Sequence, residues 1–358
     1  MPAASSSTSP AIADEAPSVD MRSDTVTHPT ERMYERMRQA PIGDDGLDGD
    51  PSTVALEGTV AALLGKEAGL FVPSCTMANL LAVLAAGGRS EQVVLEASAH
   101  MYMTERGAST FTGMFYQPVE GTSGAMDLAK LEAELKPASH RLATALIAVE
   151  TSHNNAGGAV LPLEHLQAVQ AIAQRRGIPV HLDGARLFNA SAALQVEPIA
   201  IARFADTVSV CLSKGLSAPV GAVLTGSQAT LDRARTLRRM LGGTQRQSGI
   251  MAAAGLDAVL HMRERLVDDH ARARRFSDAL NATGLPVRAA LPQTNIVQVD
   301  VSASGLGSHA WVTALDAAGL RVRPWGSTLL RCVTHRHIEE AEVDRAVTAF
   351  RHAALALV

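Results

Sequence analysis

Cysteine is scarce. Cys75, Cys211 and Cys332 are the only three in 358 residues, odd in number and widely spaced. That argues against a disulfide framework or a zinc site, and predicts reduced thiols in a cytoplasmic protein. No apolar run reaches the roughly 18 residues that a membrane-spanning helix needs. No block of basic charge occurs: 32 Lys and Arg stand against 36 Asp and Glu, a net charge of −4. Nucleic acid and anionic membranes are therefore poor partners for this chain. Residues 1–19 contain no Lys or Arg, and their first charges are Asp14 and Glu15. They lack the basic start of a secretory signal and the arginines of a mitochondrial one; their Ser, Ala and Pro content predicts a disordered leader.

What is present is globular composition, 47% apolar and 19% charged. The length exceeds one core of ordinary size. The pattern predicts a large domain over 20–270 and a smaller α+β domain over 271–358. Short apolar runs recur between helical stretches. Strands are expected at 70–72, 93–95, 145–149, 180–182, 208–212 and 221–224, and helices at 51–64, 77–86, 162–176 and 338–353. Asp50-Pro51 reads as an N-cap followed by proline at the first helical position. Continuous apolar strands alternating with helices predict an α/β fold: a mostly parallel sheet with helices on both faces. Such sheets carry their chemistry beyond the strands' carboxyl ends. Glu150, Asp183 and Ser213-Lys214 all fall there.

Most lysines are solvated surface residues. Lys214 directly follows a buried strand, where its amine is placed to form a Schiff base with a carbonyl compound. Asp183 either caps the next helix or serves as the carboxylate on a pyridine nitrogen, a group that pyridoxal phosphate requires. Arg186 reaches the same cleft if it is functional at all. Ser74-Cys75-Thr76 opens a helix after a strand, where backbone N–H groups and the helix dipole suit a phosphate. His100 is a core or surface histidine, or a ring stacked on a cofactor. His140 reads as a loop residue, and His153 and His181 have a weaker case.

Taken together, DMRSDTVTHPT, GKEAGLFVPSCTMANLLAV, HLDGARLFNA, VSVCLSKGLSAPVGAVL, LGGTQRQSGIMAAAGL and LLRCVTH resemble the threonine aldolase family of β-eliminating, pyridoxal-phosphate-dependent enzymes. The likeness runs from about Asp20 to Phe350. It implies an aminotransferase-like large domain with a smaller C-terminal domain. It also implies cleavage of L-β-hydroxy-α-amino acids (threonine, allo-threonine, or an aryl analogue such as phenylserine) to glycine and an aldehyde. The cofactor groups alone would also serve a lyase, a racemase or an aminotransferase; the full motif set favours the aldolase.

Carried over by position, the resemblance makes Lys214 the cofactor-bearing lysine and Asp183 the pyridine-nitrogen partner. Arg186 would hold the cofactor's phenolic oxygen and, with Ser23 and Arg331, the substrate carboxylate. Cys75 and Thr76 fall at the phosphate, His100 stacks on the ring, and His140 lies near the β-hydroxyl. Arg246, and Arg239 where a lysine is common, would serve the cofactor, with Arg246 reaching across a subunit boundary. A homotetramer with shared sites is the family expectation, and no metal ligand is implied. The chain departs from the pattern in three further places: Cys75 stands for a glycine, Leu47 for a tyrosine, and ETSHN for ENTHN.

Overall fold

The computed structural model describes residues 18–138 and 142–357. Its centre is a seven-stranded sheet built from β1 (Ala68–Val72), β2 (Gln92–Glu96), β3 (Phe115–Val119), β4 (Thr144–Glu150), β5 (Val180–Gly184), β6 (Thr207–Cys211) and β7 (Ala222–Gly226). The spatial order is β1-β7-β6-β5-β4-β2-β3. Strands β2 to β6 run parallel, and β7 is antiparallel to both its neighbours. Strand β3 has no counterpart in the sequence reading. It is an edge strand carrying Pro118, whose missing N–H is tolerated only at such a margin, and Phe115 is 57% exposed.

Residues alternate between the two faces of this sheet. Val94, Ile147, Val149, Leu182, Val208, Val210 and Val223 join one cluster with helices α1 (Glu31–Arg38) and α2 (Pro51–Leu64). Leu70, Val72, Cys211, Ala222 and Leu224 face the other way, onto α3 (Cys75–Ala86). The first cluster also takes in α4 (Leu163–Arg176), α5 (Leu187–Leu194) and α7 (Gly249–His261), while α6 (Gln228–Met240) lies with the second. Burial on both faces explains why the strands read as unbroken apolar runs.

The C-terminal part adds α8 (Leu266–Asn281), a sheet of β8 (Arg288–Ala289), β9 (Ile296–Asp300), β10 (Arg323–Pro324) and β11 (Leu329–Val333), and helices α9 (Ser308–Ala317) and α10 (Glu340–Leu357). The sheet is antiparallel, ordered β8-β9-β11-β10. Its core includes Phe276, Trp311 and Phe350, the first two each with a ring centroid about 6 Å from that of Phe350. Val19 and Met21 pack into this core, and Val19–Asp20 pairs in parallel with Leu320–Arg321. The segment before the large sheet is thus anchored in the C-terminal layer. Among the described residues, no helix is long and apolar enough to cross a membrane.

Helix α2 begins as the sequence predicts. Asp50 caps it, accepting from the Thr53 N–H at 3.0 Å and from the Gly43 N–H at 2.9 Å, and Pro51 occupies the first turn. Gly65 ends it in the left-handed region at φ 64°. The Thr53 bond is buried and the Gly43 bond partly so, and Asp50→Ala should lower the unfolding free energy by about 1–2 kcal/mol in urea titration. A loss below a few tenths would show that solvent replaces the cap.

Candidate active site

The carboxyl ends of the parallel strands open onto a cleft of about 400 Å³. Ser23, Cys75, Thr76, His100, Asp183, Arg186, Lys214 and Arg331 all line it, together with Asn79, Glu105, Glu150, Asn154 and Trp325. Strand register accounts for much of this. Glu150 pairs with Asp183, and Asp183 with Ser209, so the three lie side by side on one face of the sheet. That is the face on which α3 packs.

Asp183 is 2% exposed and sits inside β5. Its Oδ1 accepts from the Ala185 N–H at 3.0 Å, and its Oδ2 from the Asn79 side-chain amide at 2.9 Å. It does not cap the next helix, which begins at Leu187 without a side-chain cap; it braces the turn after its strand and faces the cleft. Behind it, the Asn79 carbonyl oxygen accepts from the Ser209 hydroxyl at 2.7 Å and meets His181 Nε2 at 3.1 Å. Burial pushes the His181 imidazole down to about 4, so it is neutral and cannot act from the cleft. His153 is also a support. It is fully buried and bonds Glu96 at 3.1 Å. Burial opposes its charge, but Glu150 and Glu96 outweigh this and raise its pKa.

Lys214 follows β6, two residues past Leu212, and its carbonyl accepts from the Thr27 hydroxyl at 2.9 Å. Helix α3 starts with Ser74 as N-cap, its oxygen taking the Met77 N–H at 3.2 Å. The Cys75 and Thr76 N–H groups, in the first turn, have no intrahelical acceptor. The thiol of Cys75 turns to the Ser209 hydroxyl at 3.5 Å. Burial, with the Asp183 carboxylate nearby, pushes that thiol well up, so it is an inert packing group.

Beside the cleft lies a buried ion pair. Arg186 donates to Asp24 through Nε at 2.8 Å and Nη2 at 2.6 Å. Burial opposes the Asp24 charge, yet Arg186, Lys214 and Arg331 hold its carboxyl far below the ordinary range. Arg186 thus spends its fork on Asp24 and offers only Nη1 elsewhere, to Asn154 at 3.1 Å. Arg331 differs. Its Nη1 donates to the Arg22 carbonyl at 3.2 Å and Nη2 to Asn154 at 2.9 Å, while its buried Nε has no partner. Trp325 covers its face, centroid 4.8 Å from the guanidinium carbon. Burial, with Arg186 and Arg323 close by, pushes Arg331 down to about 9. One carboxylate, Asp24, therefore serves two buried guanidiniums, and an anion against Arg331 would relieve the imbalance.

Asp24 carries no weight in the sequence reading, although it adjoins Ser23; nothing in RSDT alone distinguishes it from a turn acid. Asn79 does leave a trace: a lone polar residue in the apolar helix MANLLAVLAA, one turn after Cys75. Arg239 and Arg246 lie outside the cleft of this single chain. Arg239 donates to the Gly46 carbonyl at 3.0 Å, and Arg246, 67% exposed, stands 3.5 Å from Asp44. His140 lies outside the described residues.

The β-eliminating lyase family model matches residues 20–304. The low-specificity L-threonine aldolase 1 of Arabidopsis thaliana is 40% identical over 348 residues, covering 95% of this chain and 97% of that protein. This chain belongs to the threonine aldolase family of β-eliminating lyases. The low specificity L-threonine aldolase of Escherichia coli K12 is 36% identical over 339 residues, 93% of this chain and 98% of that one. The crystallographically studied threonine aldolase of Leishmania major shares the fold, with a TM-score of 0.77 at 19% identity, over 94% of this chain and 99% of that one. The family's α/β architecture is thus the one described above.

If Asp24 neutralises the two arginines, Asp24→Asn should destabilise the protein by about 3–5 kcal/mol, the usual cost of leaving a buried charge without its partner. Urea unfolding measures it. A change under 1 kcal/mol would mean that water reaches Arg186.

Proposed function

We propose that this threonine aldolase family member is a pyridoxal-phosphate-dependent aldolase. It cleaves the Cα–Cβ bond of L-β-hydroxy-α-amino acids (threonine, allo-threonine, and aryl analogues such as phenylserine) to glycine and an aldehyde. The observation that carries the reading is one cleft containing Lys214 and Asp183 on neighbouring strand ends and the unpartnered Nε of Arg331.

The residues present fit pyridoxal phosphate. Lys214 would hold it by its aldehyde carbon, Asp183 by its ring nitrogen, and the Cys75 and Thr76 N–H groups by its phosphate. When bound, the cofactor supplies the sink for the electrons of the breaking bond. Asp183 is fixed by two donors and so keeps its carboxylate aimed at one point. Arg331 binds the substrate carboxylate through its unpartnered Nε–H, with Ser23 beside it, and so sets the angle of the scissile bond. Arg186 anchors Asp24 and adds one N–H. A histidine, His100 or His140, takes the β-hydroxyl proton as the bond breaks. The Trp325 and Arg323 side chains stand at the mouth, next to Arg331.

The protein acts in the cytoplasm as a homo-oligomer, a tetramer by family expectation. Leu47, Val54, Met240 and Leu260 are 76%, 59%, 77% and 48% exposed, which supports a covering partner. Arg246 stands next to Gly46, whose carbonyl accepts from Arg239, and would serve a neighbour's cofactor. We place the boundary between a cofactor domain and a smaller C-terminal domain near residue 270, within α8, with Val19 and Met21 packing on the C-terminal side.

Purified with pyridoxal phosphate, the protein should be yellow and should release aldehyde from threonine, allo-threonine or phenylserine. Lys214→Ala should lose the visible absorbance and nearly all turnover. A colourless parent, or a Lys214→Ala variant that keeps both properties, would sink the reading. Mixing Lys214→Ala with Arg246→Ala subunits should restore part of the activity, since one site in a hybrid pair has both residues intact. Hybrids that form yet stay inactive would remove Arg246 from the neighbour's site.

A further inference from the structure

Among the described residues His100 is the imidazole that lines the cleft, and one short contact governs it. Its Nδ1 lies 2.8 Å from Glu105 Oε1. A carboxylate oxygen accepts, so Nδ1 carries the hydrogen and Nε2 has its lone pair free. Among the described residues nothing bonds Nε2, and the side chain is 33% exposed on the cleft side. The backbone N–H of His100 donates to Glu150 Oε2 at 2.6 Å, which pins the start of its short helix but leaves the ring to Glu105.

Glu105 is itself held. Its side chain is only 8% exposed. The Asn79 amide lies 3.3 Å from both of its oxygens, and the Thr76 hydroxyl 3.5 Å from Oε1. Asn79 has two amide hydrogens, and its other acceptor is Asp183 Oδ2 at 2.9 Å. Its orientation is settled by surroundings: Ser209 and His181 face its oxygen, and two carboxylates face its nitrogen. One amide thus ties the ring-nitrogen partner to the carboxylate that orients His100. One ring nitrogen of His100 and one carboxylate oxygen each of Glu105 and Asp183 lie within 4.8 Å of one another.

We propose that Glu105 is a positioning residue for the reaction: it fixes His100 as the Nδ1–H tautomer with Nε2 directed at the substrate, and Asn79 keeps Glu105 in place. The proposal rests on the aldolase reading for its substrate, but the state of the imidazole can be measured without it. Three carboxylates face His100. Glu105 is the strongest influence, through its hydrogen bond; Asp183 and Glu150 act at longer range, and together they outweigh burial and raise the His100 pKa. Burial and the Asp183 carboxylate push the Glu105 pKa up, against the pull of His100.

An anion that raises the His100 pKa also raises the pH below which a base at Nε2 is lost. Removing that anion moves the limit down. Glu105→Gln keeps the side-chain shape and an acceptor oxygen but loses the charge; Glu105→Ala loses both. In the holoenzyme, NMR titration should show His100 titrating about 1 pH unit lower in Glu105→Gln, the lower end of what a neighbouring charge does. The acid limb of kcat/KM for threonine cleavage should move down with it. Glu105→Ala should lower kcat at least about 10-fold, as loss of a ring-orienting partner does elsewhere, with KM little changed.

Cofactor affinity and absorbance should stay near the parent's in Glu105→Gln. If His100 titrates at the parent pH in that variant, the proposal is overturned. It is equally overturned if cofactor affinity or thermal stability falls while the acid limb stays put, because that is the signature of a purely structural role. A parent enzyme inactive on every β-hydroxy-α-amino acid would overturn the functional reading instead, and the NMR titration would still decide the role of Glu105.

Discussion

Two hydrogen bonds between Arg186 and Asp24, made out of contact with water, hold the parts of this molecule in register. Arg186 stands just past the end of β5, in the large sheet. Asp24 belongs to the segment that Val19 and Met21 anchor in the C-terminal core. Asn295, beside β9, also donates to Asp24, at 3.3 Å. Thr27, three residues on, bonds the Lys214 carbonyl. One carboxylate therefore joins the N-terminal segment, the parallel sheet and the antiparallel sheet at the place where the cleft forms. A pair this deep gains little net free energy, because desolvation offsets attraction. Its consequence is geometric: the cleft residues come from three layers and need a common reference point.

The same arithmetic of charge shapes the cleft. Asp24 is closest to Arg186, and it leaves Arg331 with an unused Nε–H under the Trp325 ring. The proposed function uses that Nε–H for a carboxylate that arrives from outside. On the opposite wall the balance is reversed. Asp183, Glu105 and Glu150 gather around His100, with Asn79 spacing two of them. In the proposed reaction an amino acid would bridge the two walls, its carboxylate at the cationic side and its β-hydroxyl at the imidazole.

Much of this was legible in the sequence. The strands on either side of Asp183 and Lys214 are apolar runs because both faces are buried, and polar residues at their ends stand out for the same reason. The Asp50 cap and the Gly65 stop are local chemistry and can be read locally. Strand β3 was not readable, since its edge position lets it carry Pro118 and an exposed Phe115. Asp24 and Glu105 were missed for a different reason. Each acts through a partner far away in the chain or across a helix break, and neither spacing nor periodicity marks such a contact. Arg186 was found but its principal partner was not: a motif identifies an arginine, and only the fold shows that Asp24 already occupies its fork.

The proposed chemistry requires that Arg331 be kept free for a carboxylate. The direct measurement is binding of glycine and of methylamine to the holoenzyme, followed through the cofactor's visible absorbance. Both bring an amine, and only glycine brings the carboxylate. Two charge-assisted hydrogen bonds predict that glycine binds at least about 100-fold more tightly in the parent protein, and that Arg331→Lys loses most of that difference. Equal affinity for the two ligands in the parent protein would contradict the account.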